Sequence, residues 1–254
     1  MSILVFSSCS QDTQEQPTTE PEPTIPREYQ PPTQVLNATY VWSAEPEIDL
    51  FDGRGRLIRA AEEAKTIAHY GGLDVTYPGF ADVLSYEYAS RIDARPYHAL
   101  AGTARAHILQ VTETETGFDA TVCTQPSHLG IRWDDGEYRI TTLSGRESYV
   151  QFTRIVDSAE HPQLELEPRW PPIDRTDPYP ALQDMPVSEN QWSAPTEDLF
   201  SDTGYTITFG ADLGETMHRC QDWGRSIEPD VPAEGSETIR SPIPPRTLPA
   251  YPGW

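Results

Sequence analysis

Tyr97, Arg105 and His107 are the residues of this chain best suited by type and spacing to do chemistry. In an extended stretch successive side chains point to opposite sides, so Tyr97, Thr103, Arg105 and His107 would share one face and His98 the other. On a concave face His107 could serve as acid or base, because imidazole titrates near neutrality, with Arg105 gripping an anionic substrate. The competing reading leaves these side chains on a solvent-facing sheet surface. Short catalytic signatures are missing: the chain has no Gly-x-Ser-x-Gly elbow, no phosphate-cradling glycine loop and no His-Glu-x-x-His. His69 reads as a favourable charge near a helix end, and the Asn37-Ala38-Thr39 sequon as incidental.

The cysteines are Cys9, Cys123 and Cys220. The opening Met-Ser-Ile-Leu-Val-Phe-Ser-Ser-Cys is a short apolar run, two small residues and a cysteine. It resembles the end of a bacterial lipoprotein signal, in which Cys9 becomes the acylated residue. With lipid on Cys9, Cys123 and Cys220 would be left to pair in an oxidising compartment. The other use of Cys220, a metal site with His218 and Asp222, lacks the fourth ligand and second cluster that structural zinc takes. Neither a metal nor a cofactor is expected.

Periodicity marks the elements that must position these groups. Leu57, Ile58, Ala61, Ala64, Ile67 and Ala68 form one face of a helix over 54–70, with Arg56, Glu62, Glu63 and Lys65 mostly on the other and Gly71-Gly72 at its end. ADVLSYEYAS, after the YPGF turn at 77–80, reads as a short helical piece. Strands are predicted over 97–112, 117–125, 137–143 and 148–157, joined by tight connections that imply antiparallel pairing. GYTITF at 204–209 alternates like one more short strand. The plan is α+β: a long helix packed on a curved antiparallel sheet.

Proline and charge set the domain limits and narrow the partners. Of the 25 prolines, six fall in 17–32, four in 33–157 and fifteen in 158–254. Since proline breaks helices and inner strands, only the middle reads as a compact domain. The chain therefore divides into a partial signal with its cysteine (1–9), a disordered tether (10–33), the domain (34–157) and a mostly irregular, proline- and aromatic-rich segment (158–254). Aromatic residues that include Trp170, Trp192, Trp223 and Trp254 would let that last segment dock on the domain. A net charge of −22, with Lys65 the only lysine, makes nucleic acid an unsuitable partner.

Several stretches carry a likeness to known proteins: WSAEPEIDLFDGRG at 42–55, YPGF, CQDWGRSIEPD at 220–230 and the closing LPAYPGW. With the Ser-Ser-Cys start, they resemble mycobacterial and related actinobacterial envelope lipoproteins. The order of helix and strands is similar to the cone-shaped fold of ketosteroid isomerases and nuclear transport factor relatives. These resemblances imply architecture and location only: an extracytoplasmic protein held to the membrane by lipid. The function expected of it is a binding or structural role, with an envelope protein, glycan or lipid as partner. The alternative is a small-molecule enzyme or carrier that uses a pocket in the cone, because fold does not fix function. WSAEPEIDLF also recurs loosely as WSAPTEDLF at 192–200. Such an echo reads either as a tryptophan anchor used twice to dock extended chain or as a duplicated recognition motif.

Overall fold

Helix α1 spans Gly53–Gly71. Asp52 caps it, its carboxylate accepting from the Gly55 amide at 2.7 Å, which satisfies one of the donors left open in a first turn. Gly72, at φ 102°, ends it. The apolar stripe of α1 is buried, but so are Arg59, Glu62 and Glu63, at 2%, 1% and 4% exposure. The expected polar face of Glu62 and Glu63 is therefore partly interior.

The computed structural model describes residues 29–154, 179–210 and 216–254. Cys9, residues 10–28 of the tether and residues 158–178 with Trp170 lie outside the described residues. The strands are β1 (Asn37–Ala44), β2 (Ala99–Thr114), β3 (Gly117–Arg132), β4 (Tyr138–Leu143), β5 (Arg146–Arg154), β6 (Tyr205–Gly210) and β7 (Ser236–Ser241). Beside α1 stand two single turns, α2 (Phe80–Val83) and α3 (Tyr86–Ala89), and a late helix, α4 (Thr216–Ile227). The seven strands of the described residues form one sheet in the order β1-β2-β3-β4-β7, with β5 and then β6 branching from β3. The architecture is α+β with a mixed, mostly antiparallel sheet.

Two features depart from the purely antiparallel expectation. β1 is a strand, and it runs parallel to β2 with Ser43 opposite His107. Its residues are buried on both sides over Asn37–Tyr40, so it lacks the polar alternation that would reveal a strand. The β2–β3 ladder also slips twice. Thr103 faces His128 while Arg105 faces Gln125, which leaves one residue of Pro126-Ser127 unmatched and lets a proline without an amide proton sit inside a central strand. Ile108 faces Val122 and Gln110 faces Thr121, so Leu109 is extra and packs with Cys123, Cys220 and Trp223 on the outer face.

The inner face of the sheet packs Ala38, Tyr40, Trp42, Ile108, Val122 and Phe152 against Ile58, Ala61 and Ala64 of α1. On the outer face, Leu248 donates its amide to Thr103 Oγ1 at 2.8 Å, and Thr247 Oγ1 donates to the Asn37 carbonyl at 3.0 Å. Tyr251 exchanges backbone hydrogen bonds with Tyr40 and Trp42 along the free side of β1. Helix α4 is joined to β3 by the disulfide Cys123–Cys220. A Cβ on Gly224 would lie 1.6 Å from the Ser144 carbonyl oxygen, so only glycine lets this helix meet the turn between β4 and β5. Cys220, Trp223 and Gly224, spaced three and four residues apart on α4, thus serve one contact surface.

Candidate functional site

Two clusters of polar side chains meet the tryptophans of this fold, one inside and one on the outer face. The inner cluster centres on Glu63, one helical turn after Arg59. Its Oε1 accepts from Trp42 Nε1 at 2.8 Å, and its Oε2 accepts from Tyr77 OH at 2.7 Å and Trp254 Nε1 at 2.8 Å. Trp192 Nε1 donates in turn to Tyr77 OH at 2.8 Å. The Arg59 guanidinium lies 4.2 Å from the Trp254 ring centroid and donates to the Pro252 carbonyl at 3.0 Å. Burial pushes the Glu63 carboxyl above its usual range, opposed by these three donors and by Arg59.

The recurring Trp-Ser-Ala is explained here. Trp42 reaches Glu63 directly and Trp192 reaches it through Tyr77, so both tryptophans anchor chain to the same buried carboxylate. The recess beside Glu63, Trp192 and Trp254 has room for about one water molecule. Neighbouring Glu62 is also spent: Lys65 Nζ stands 2.5 Å from it and Ser148 Oγ donates to it at 2.6 Å.

The outer cluster centres on His107, which is 8% exposed. Its Nδ1 is 2.9 Å from Ser43 Oγ, and its Nε2 is 3.5 Å from Glu45 Oε1. Arg219 of α4 reaches the same Glu45 oxygen at 3.8 Å. The Trp223 ring stacks on the imidazole at 5.3 Å between centroids and 21° between planes. Burial under this roof pulls the His107 pKa below the ordinary histidine value, with Glu45 acting in the opposite sense. The parallel pairing of β1 and β2 supplies Ser43 and the lead-in to Glu45, while α4 supplies Trp223 and Arg219.

Of the residues singled out by spacing, Arg105 and His107 share the outer face, but Tyr97 does not join them. Tyr97 lies just before β2, packed on His98 and Tyr179, and eight residues of strand from Ala99 to His107, roughly 26 Å, hold it away from the imidazole. His98 packs on Trp133 at 4.2 Å between centroids with the rings tilted by 44°, and Arg139 lies over that tryptophan ring. The face is not open to solvent at Thr103, which is 1% exposed beneath the chain at Leu248. Asn37 is buried, its amide engaged by the Pro186 carbonyl and the Ser188 amide, so the folded sequon is not accessible.

Sequence reasoning missed Glu63 and Ser43. The i, i+4 spacing of Arg59 and Glu63 was the only local signal for the first, and nothing local marks the second, whose partner is 64 positions away. Comparison with known protein families, with curated proteins and with solved structures gives no match for this chain.

Proposed function

We propose that this chain is a lipid-anchored protein of the cell envelope with a binding or structural role. In this reading Cys9 carries the lipid, the expected tether of 10–33 is shortened to the stretch before Tyr29, whose ring packs on Tyr77 of the domain, and the proline-rich segment 158–254 is docked on a cone-like domain that faces an envelope protein, glycan or lipid. The observation that carries a binding role over chemistry in the interior is the occupancy of Glu63. Three donors already use its oxygens, the Arg59 guanidinium acts on it electrostatically, and the recess beside it is too small for a drug-sized ligand. An interior of this kind makes a rigid body with a fixed outer surface.

The disulfide between Cys123 and Cys220 belongs to an oxidising, extracytoplasmic environment. Among the described residues, no helix is long and apolar enough to cross a membrane. The hydrogen bonds of Thr247, Leu248, Tyr251 and Trp254 support docking of the last segment. Detergent phase partitioning tests the anchor in an actinobacterial host expressing the full gene. The parent should enter the detergent phase and Cys9→Ala the aqueous phase; equal aqueous partitioning of both would overturn the reading.

A further inference from the structure

We propose that Ser43 is an activated nucleophile and that the outer face of the sheet hydrolyses small carboxylic esters there. This goes beyond the binding role and does not rest on the lipid anchor. Ser43 is exposed while its partner His107 is buried, so the hydroxyl meets solvent and the base stays shielded behind it. A hydroxyl within hydrogen-bond reach of an imidazole whose other nitrogen faces a carboxylate is the arrangement that nucleophilic catalysis by serine requires.

The tautomer follows from the neighbours. A bare Nε2 facing the Glu45 carboxylate at 3.5 Å would set lone pairs against a negative charge, so the ring proton belongs on Nε2. Nδ1 is then an acceptor, and Ser43 Oγ–H donates to it at 2.9 Å. The competing acceptor for that proton, the Ala106 carbonyl, is farther off at 3.4 Å. Trp223 holds the ring in plane, and α4, which carries it, is held in turn by the disulfide and by close contact with the turn at Ser144. Arg219 reaches the Glu45 carboxylate at 3.8 Å and so helps to fix it beside the ring.

In the reaction the Ser43 Oγ bonds to the ester carbonyl carbon while its proton passes to His107 Nδ1. Collapse of the adduct breaks the bond to the alkoxy oxygen, which takes that proton and leaves as the alcohol. Water then attacks the acyl-serine by the same route, releasing the carboxylic acid and restoring Ser43. The Glu45 carboxylate stabilises the transient imidazolium. The open face excludes little water, so turnover is modest and suited to small, unbranched acyl groups.

A fluorophosphonate applied to the folded full-length chain, followed by peptide mass mapping, tests the proposal, with p-nitrophenyl acetate hydrolysis as the turnover assay. Label should sit on Ser43, vanish in Ser43→Ala, and form about 100-fold more slowly in His107→Gln, the loss expected for removing a general base. Ser43 is exposed, so Ser43→Ala keeps the fold, and a melting curve checks His107→Gln. No labelling of the folded parent, label confined to another residue, or equal ester hydrolysis by parent and Ser43→Ala would each overturn it.

Discussion

Glu63 and His107 are each held beneath a tryptophan ring or indole donor, but they sit in opposite situations. Around Glu63 every hydrogen-bond partner of the carboxylate is a donor and a guanidinium lies near, and the carboxylate is enclosed between α1, β1, Tyr77 and residues 252–254. Around His107 the contacts are one-sided. A roof of Trp223 covers the ring, and its edge meets an exposed serine hydroxyl and a half-exposed ion pair. Saturation converts an ionisable group into a structural post, while partial satisfaction leaves it able to exchange a proton.

That contrast is easiest to break at the interior. Replacing Glu63 with leucine would orphan the Trp42, Tyr77 and Trp254 donors and leave Arg59 buried without its counter-charge. The expected cost is about 3–5 kcal/mol, read as a lowered urea midpoint. The matching outer-face change, Glu45→Leu, should cost under about 1 kcal/mol, since partly exposed ion pairs contribute little. If the two variants lose equal stability, the interior carboxylate is not the post described here.

A somewhat smaller effect should follow from opening the disulfide. Cys123 and Cys220 are 97 positions apart, and removing a bond across so long a loop typically costs about 2–4 kcal/mol. Because the bond holds α4 over His107, the double serine variant should also expose the imidazole. Hydrogen exchange should rise in α4 and stay protected in α1; uniform deprotection would mean that the two regions unfold as one.

The smallest effect concerns pH. Burial holds His69, His98 and His107 below the histidine value of 6.5. Above that value both folded and unfolded chains carry neutral rings and nothing changes. As pH falls below it the unfolded chain takes up protons that the folded chain resists, so stability declines until the folded rings titrate. Glu63, raised by burial above 4.5, works in the other direction as pH climbs from that value, so the histidine signal is isolated by comparing variants. Trp223→Ala unroofs His107, and its ring should titrate closer to 6.5 by NMR while His69 and His98 stay unchanged. An unmoved His107 would show that Trp223 is not what desolvates it.

Local pattern was enough to locate α1, most of β2 to β5, and the short strand at Tyr205–Gly210, because each has a periodicity that its own residues display. β1 escaped notice because burial on both sides removes alternation. Polar Glu62 and Glu63 also looked external, since periodicity ranks residues by type and cannot see a donor supplied from elsewhere in the chain. Sequence by itself determined the helix, the run of strands, the acidic charge that disfavours nucleic acid and the cysteines available to pair. Only the tertiary structure decided that Trp42, Tyr77 and Trp254 converge on one carboxylate and that Ser43 faces His107. Those contacts span up to 191 positions, and a hydrogen bond depends on where backbone pairing and helix packing bring two atoms, which no short stretch of residues encodes.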